Sequence, residues 1–333
     1  MTAIVPLIRA AAAMPILNWL DRHDRPVASR LREAGLGYLP LDDPNRPVPL
    51  LDLLAFLCRQ AELEGPDVAC RVVTSTSVAE LANLGLVAMS GRTPRESLAR
   101  IAAALPRHCT HEVITLEERR TSLVVREYWH WKFDAATLHL IQQYVASLIE
   151  CMCRVPGQDG PVAQTIRMVP HPETGLAHLA QRFGGRVEPA DTACLEIVLA
   201  NAVADARFAG NGPRRLTPAP APEDWTRLRA EGTLAESVRI AIAAMLNGDV
   251  PGVERLAFAA GMSVRSFQRR LADEGTSFSQ LLEEVRHGVS RRRLGTPDVL
   301  VADVAAELGY AHPSGLSRAM RRWTGQPPRK LRS

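Results

Sequence analysis

The sequence predicts an α+β amino-terminal region followed by an all-α carboxy-terminal region with two helix-turn-helix units joined by a long helix. Three observations predict it. Helical apolar periods dominate residues 49–105 and give way to apolar–polar alternation over 112–129. A tract dense in proline, alanine and glycine, "FAGNGPRRLTPAPAPEDW" at 208–225, then breaks the apolar pattern. Beyond it every segment has helical spacing, and one pattern occurs twice.

The opening "MTAIVPLIRAAAAMPILNWLDRHD" is apolar enough to suggest a signal peptide, but Arg9 interrupts the run and the continuation reads as an amphipathic helix. Further helices are expected at "PLLDLLAFLCRQAEL" (49–63), "VAELANLGLVAMS" (78–90) and "TPRESLARIAAAL" (93–105). The last opens with Thr93 as N-cap, Pro94 in the first turn and Glu96 three residues on, a capping box. "EVITLEERRTSLVVREYW" (112–129) alternates about a polar "ERRTS" break and reads as a β-hairpin. "TIRMVP" and "CLEIVLA" read as two more strands, and "DAATLHLIQQYVASLIECMC" (134–153) as a helix. The Pro/Ala-rich tract cannot bury enough apolar surface to fold alone. It divides the chain into 1–208, a linker at 209–224, and 225–333.

After the linker, "LAESVRIAIAAML" (234–246) is a helix stopped by Asn247-Gly248. The repeat follows: "VERLAFAAGMSVRSFQRRLADEGTS" (253–277) and "VADVAAELGYAHPSGLSRAMRRWTGQP" (301–327), giving units at about 252–274 and 301–324. Small residues (Ala257, Ala260; Ala305) let two short helices cross closely. Gly261 and Gly309 stand where the first helix must end in a left-handed conformation. In the second helix of the first unit, Phe267 and Leu271 face inward, while Arg265, Gln268 and Arg269 share the other side at i, i+3 and i+4. In the second unit Leu316, Met320 and Trp323 face inward, and Ser314, Arg318 and Arg321 outward. Arg and Gln match guanine and adenine edges in the major groove, and Ser and further Arg suit phosphate. The spacer, with Phe278, Leu281, Leu282, Val285 and Val289 in one stripe, joins the units. A solvated basic face on an ordinary helical hairpin is the bland alternative; its occurrence twice, on either side of that helix, argues against it.

"GMSVRSFQRRLADEGTSFSQLLEEVR" and "VADVAAELGYAHPSGLSRAMRRWTGQPPRKLR" resemble the two helix-turn-helix units and carboxy-terminal signature of the AraC/XylS family of bacterial transcription regulators. "LREAGLGYLPLDDPNRPVPLLDLL", "NLGLVAMSGRTPRESLARI" and "QRFGGRVEPADTACLEIVLANAV" are similar to the subgroup containing ornithine-utilisation regulators. Leu316 and Met320 replace that family's usual aromatic pair, and His312-Pro313 occupies the turn. The resemblance implies recognition helices in successive major grooves, with Arg265, Gln268 and Arg269 contacting DNA in one unit and Ser314, Gly315 and Arg318 in the other. Gly315, lacking a side chain, would read poorly or through shape. It also implies an amino-terminal domain that senses an effector and self-associates. The implied partners are double-stranded DNA, a small-molecule effector, RNA polymerase and a second copy of the chain.

Composition agrees. The 333 residues are 46% hydrophobic and 23% charged, the balance of a soluble globular protein. No uninterrupted run reaches the roughly 18 apolar residues of a membrane span, so no membrane partner and a cytoplasmic location are expected. The net charge of +4 is uneven: Leu234 to Ser333 holds 15 Lys and Arg against 10 Asp and Glu, and the rest holds 25 against 26. A basic terminal domain on a near-neutral body is the footprint of a nucleic-acid binder.

No catalytic site, metal site or cofactor is expected. The six cysteines lack zinc spacing, "HCTH" (108–111) has no further ligands nearby, and no phosphate loop, nucleotide fingerprint or nucleophile elbow is present. The alternative of a DNA-repair enzyme with a DNA-targeting tail requires a zinc-bound cysteine cluster or a Pro-Cys-His-Arg motif, and the sequence has neither. "REYWHWKF" (126–133) places Tyr128, Trp129 and Trp131 at a strand end, candidates for an effector pocket. Amino-acid-like, lipid-like and aromatic effectors all remain open at this level.

Overall fold

The computed structural model describes residues 4–154, 162–208, 225, 227–228, 232–246, 250–296 and 299–328. The expected linker at 209–224 and the Asn247-Gly248 stop lie outside the described residues. The chain opens with β1 (Leu7–Arg9), a 3-10 turn (Ala10–Ala13), α1 (Met14–Arg22), α2 (Val27–Glu33) and β2 (Pro47–Pro49). Helices α3 (Leu50–Glu64), α4 (Val68–Arg71), α5 (Ser77–Glu80), α6 (Ala82–Met89) and α7 (Pro94–His108) follow. Then come β3 (Glu112–Glu118), β4 (Ser122–Trp129), α8 (Ala135–Cys153), β5 (Thr165–Met168), α9 (Ala180–Phe183), β6 (Val187–Pro189), β7 (Leu195–Ala200) and α10 (Asn201–Ala204). The rest is helical: α11 (Leu234–Met245), α12 (Val253–Ala259), α13 (Val264–Asp273), α14 (Phe278–Leu294), α15 (Val301–Glu307) and α16 (Pro313–Thr324).

The five-stranded sheet has the order β3-β4-β7-β5-β6, antiparallel except for the β5–β6 pair. Its inner face (Ile114, Leu123, Val125, Ile166, Ile197) is buried in one core with Leu98 and Leu105 of α7 and Ala146 and Ile149 of α8. Its outer face carries a ladder of charge. Arg126 stands opposite Glu196 and pairs with it at 2.9 Å, and Arg167 pairs with Glu196 at 2.7 Å and Glu188 at 3.0 Å. One face in the core and one in water is what the alternating sequence demands. The Thr93 capping box forms, with the Thr93 side chain accepting from the Glu96 N–H, and Asp134 caps α8 in the same way.

Two expected helices differ. Residues 78–90 do not form one helix; the chain breaks at Ala82, whose φ is +48°, and α6 folds back on α5. The approach is so close that a Cβ on Gly85 would lie 2.2 Å from the Val78 carbonyl oxygen. At the amino terminus the helix begins only at Met14, because Leu7, Ile8 and Arg9 pair with Pro49, Val48 and Pro47 as a two-stranded ribbon.

That ribbon seats the carboxy-terminal region. Helix α11 packs against β2 on one side and against α14 and α13 on the other. The Val5 N–H donates to the Ser237 hydroxyl at 2.9 Å. Val5, Leu7 and Val48 belong to the same buried cluster as Val238, Ile242, Phe267 and Met320. The start of α11 is capped twice, by Thr233 and by Glu274, whose carboxylate accepts from the Leu234 and Ala235 N–H groups at 2.9 and 2.8 Å. Residues 225–333 expressed alone are therefore expected to keep a helical circular-dichroism spectrum but to unfold at a lower temperature than the full chain. Each large aliphatic side chain stripped of its cover costs about 1.5–3 kcal/mol. Equal midpoints would show that the ribbon adds nothing, and a molten fragment would move the domain boundary.

Candidate nucleic-acid interface and an amino-terminal cavity

The two units are built alike. After α12, Gly261 (φ +63°) donates its N–H to the Phe258 carbonyl and Met262 donates to Ala257, at 2.8 and 2.9 Å. After α15, Gly309 (φ +71°) donates to Ala306 and Tyr310 to Ala305, at 3.0 and 2.9 Å. This pair of bonds closes a helix on a left-handed residue, which is why glycine stands at both places. Ser263 then caps α13 by accepting from the Ser266 N–H, and Pro313 opens α16 at a position that needs no amide donor. Phe267 and Leu271 anchor α13 in the core; Leu316, Ala319 and Met320 anchor α16. Leu316 and Met320 are fully buried, so the smaller pair fills the space.

The opposite faces are in solvent: Arg265, Gln268 and Arg269 on α13, and Ser314, Arg318 and Arg321 on α16, are all exposed. Gly315 is half-buried, and a Cβ there would come within 3.1 Å of the Tyr310 ring. A side chain there would need the Tyr310 ring to give by a few tenths of an ångström. Some nearby arginines are tied down: Arg239 to Glu284 at 2.7 Å, Arg293 to Glu307 at 2.8 Å, Arg322 to Glu283 at 2.6 Å, and Arg286 to the Leu308 carbonyl at 3.0 Å. Among the described residues, Arg265, Arg269, Arg318 and Arg321 have no carboxylate within ion-pairing distance. Five guanidinium groups on α13 and α16, Arg270 being the fifth, are thus exposed with their donors unspent, the arrangement that accepts phosphates or base edges.

A family model described as a helix-turn-helix domain matches residues 256–333. The carboxy-terminal region is an AraC-type helix-turn-helix domain. Over 106 residues, 32% of this chain and 31% of the relative, it is 35% identical to the HTH-type transcriptional regulator VirS of Mycobacterium tuberculosis. Over 102 residues, 31% of this chain and 30% of the relative, it is 34% identical to the ornithine utilization regulator of Pseudomonas aeruginosa. The matched stretch spans about a third of the length of these relatives. The transcriptional regulator CdpR from Pseudomonas aeruginosa, a solved structure, is 20% identical and aligns over 95% of this chain and 96% of that one with a TM-score of 0.40. VirS and the ornithine utilization regulator are transcriptional regulators, and the AraC-type domain they share with this chain is not an enzymatic one.

Outside the AraC-type domain, a cavity of about 140 Å³ lies between the hairpin and helices α1, α3, α7 and α8. Its walls are apolar, Leu53, Phe56, Ile101 and Leu148 among them, with four polar groups: His108, Glu112, Trp129 and Tyr144. His108 is fully buried and its pKa is pushed down to about 3 by desolvation, with Arg9 adding to the effect, so it is neutral. The Tyr144 hydroxyl donates to the Ala12 carbonyl at 2.9 Å. Of the three aromatics expected to form a pocket, Trp129 lines this cavity. Tyr128 and Trp131 do not. Tyr128 stacks edge-on with His130, and Trp131 packs against the AraC-type domain, its ring 2.6 Å from where a Cβ on Gly261 would stand.

One contact escaped sequence reasoning altogether. Arg255 of α12 pairs with Asp52 in the first turn of α3 at 3.0 Å, donates to the Gly35 carbonyl, and lies 5.1 Å from the Tyr38 ring centroid. Asp52 is 7% exposed and also accepts from the Tyr38 hydroxyl at 2.9 Å; burial, with the charge of Asp52 and this bond adding to it, pushes the Tyr38 pKa up. An acid at an inward position of "PLLDLLAFL" was the available signal, but it does not name its partner. Among the described residues no group of three or more His, Cys, Asp or Glu could hold a metal ion, and the six cysteines are free thiols, three of them buried. Replacing Arg269 or Arg318 with Ala is expected to weaken operator binding by about 1–3 kcal/mol, the loss of a bidentate base contact. Arg239→Ala, which breaks a pair outside both units, should leave operator binding near wild type. Gel retardation on specific and random DNA decides: equal losses on both would assign these arginines to phosphate.

Proposed function

We propose that this protein is a sequence-specific transcription regulator in which α13 and α16 read DNA and the amino-terminal region responds to a small molecule in the apolar cavity. The observation that carries the reading is the set of unpaired arginines on two exposed helix faces, each helix following a left-handed glycine. DNA readout falls to Arg265, Gln268, Arg269, Ser314, Arg318 and Arg321, with Gly315 admitting close approach. A second copy of the chain and RNA polymerase are the partners such a regulator would engage, and the domains divide at the 209–224 linker.

Effector control needs a route from cavity to DNA-binding domain, and two elements supply one. Helix α3 lines the cavity through Leu53, Leu54 and Phe56 and holds Arg255 through Asp52. Strand β4 lines it through Trp129, and Trp131 two residues later touches the turn glycine of the first unit. A ligand changes DNA binding only by the difference in its affinity for the competent and incompetent arrangements.

The two-unit geometry gives the test. Successive major grooves on one face are about 34 Å apart, and the 17 residues of α14 span about 25 Å at 1.5 Å per residue before packing offsets. Once footprinting has located the operator, inserting about half a helical turn between its two elements should reduce binding steeply. Restoring a full turn should not rescue it within one protomer, because α14 cannot stretch. Unchanged affinity with the half-turn insertion would mean that one unit alone reads sequence, and the second, with Ser314 and Gly315, would be the one to lose that role.

A further inference from the structure

The cavity wall holds a polar side chain that the fold leaves without a partner and within a ligand's reach. His108 closes α7 and lines the cavity. It is 4% exposed, and among the described residues neither of its ring nitrogens makes a hydrogen bond. Two other groups behind the same wall are also unsatisfied, the Glu127 carboxyl and the Trp129 indole N–H, but they are fully enclosed and no ligand can touch them. The His108 nitrogens differ in keeping open surface, and the open space against this buried ring is the cavity. Tyr144 stands on the same lining; its hydroxyl hydrogen is spent on the Ala12 carbonyl at 2.9 Å, so its oxygen can only accept. Glu112 has interactions of its own.

Burial, with Arg9 adding to it, holds the His108 pKa down at about 3, so the ring in the cavity is neutral. A neutral imidazole carries one N–H donor and one acceptor nitrogen. A buried polar group with neither bond made is costly, and interiors rarely keep one without something to answer it. Together with Tyr144 the open groups on the wall offer two acceptors against one donor, in surroundings that are otherwise hydrocarbon. What complements them is a hydroxyl on an apolar body. A carbonyl or ether only accepts and would leave both acceptors unanswered. A carboxylate would bury its charge against a single neutral donor, and an ammonium would enter the field of Arg9, which already disfavours a second cation at His108.

We propose that the cavity binds a small phenol, its ring against Phe56, Leu53 and Leu148 and its hydroxyl donating to the His108 imidazole. This rests on the sensing role proposed above and names the chemical class it would sense. The volume sets the scale: a cavity of roughly 150 Å³ lined by aliphatic and aromatic side chains holds benzene, so one of about 140 Å³ takes a single ring with a small substituent. A flat ring suits walls that include Phe56 and Trp129, against which it can stack or stand edge-on. A phenolic O–H, which ionises near pH 10, is a good donor to imidazole while staying uncharged at neutral pH.

The matched probes are phenol, toluene, benzoate and benzylamine, titrated by calorimetry into the full chain without DNA. Phenol is expected to bind tightest, because toluene leaves the imidazole unanswered, and the two charged probes not at all. His108→Leu should weaken phenol by about tenfold or more, its hydroxyl then being buried without an acceptor, and hold toluene within about twofold. His108→Gln, which keeps a donor and an acceptor, should retain more of the phenol affinity than the Leu variant does. A measurement on the unaltered chain is independent of how either variant folds: with 15N-labelled histidine, saturating phenol should move the ring nitrogen resonances of His108 far more than saturating toluene. The proposal is overturned if those resonances respond alike to both, if toluene binds as tightly as phenol, if a charged probe binds tighter, if the Leu variant keeps the preference for phenol, or if no probe binds. Gel retardation with phenol separates the two readings: binding without any change in DNA affinity would sink the sensing role and leave the phenol site standing.

Discussion

Helix α11 must sit on the β1–β2 ribbon for the ribbon and the carboxy-terminal helices to share one core, and the joining of the two regions follows from that seat. The ribbon has three residues per strand, too short to be stable by itself. It becomes part of the core because α11 covers it on one side, while Leu50 and Leu53, just beyond β2, continue the same cluster. On the far side α11 supports α13 and α14. An apolar interface of this kind is not directional, so it fixes that the two regions are joined more firmly than it fixes their angle. Angle is set by directional contacts at the edge of the seat, the Arg255–Asp52 pair and the stack of Trp131 on Gly261.

Much of the fold was legible in the sequence because local chemistry and tertiary demand coincide there. Thr93 and Asp134 announce their helices with side-chain caps that form. The alternation through "SLVVREYW" is that of a strand with one face buried, and the hairpin register follows it. What was not legible depends on partners distant in sequence. Residues 7–9 carry no strand period and become β1 only through 47–49. The break at Ala82 conflicts with the helical propensity of its neighbours and is imposed by the packing of Gly85 on the Val78 carbonyl. Strand β6 is three residues after a Gly184-Gly185 turn and exists by pairing with β5.

The candidate sites divide in the same way. The arginine faces were legible because an amphipathic helix states its own orientation: once Phe267 and Leu271 face inward, Arg265, Gln268 and Arg269 can only face out. Which arginines are unpaired was not legible, since Glu283, Glu284 and Glu307 lie on other helices. The aromatic run at 128–131 was only partly readable, because β4 ends at Trp129 and Trp131 lies beyond it, where strand alternation no longer fixes the side a residue takes. Glu127 had a signal that could have been followed: it takes an inward place in a run of Leu123, Val125 and Trp129, where an acid contradicts the pattern.

The contact best suited to carry a change from the cavity to the DNA-binding domain is the one whose release leaves least unsatisfied. Removing one partner from a fully buried ion pair costs about 3–5 kcal/mol, because a charge is stranded. Asp52 would not be stranded. It keeps the Tyr38 hydroxyl and stands in the first turn of α3, where the helix dipole favours an acid. Arg255 has a third of its side chain in water already and can be solvated on leaving. Separation at this point is therefore far less costly than lifting α11 from its ribbon, which would expose Val238 and Ile242 together with Leu7 and Val48. Under the proposed sensing role, a ligand working through α3 would have only a modest free-energy difference to supply, within the 1–3 kcal/mol that typical site-to-site coupling provides. The apolar seat would meanwhile hold the two regions on one another throughout.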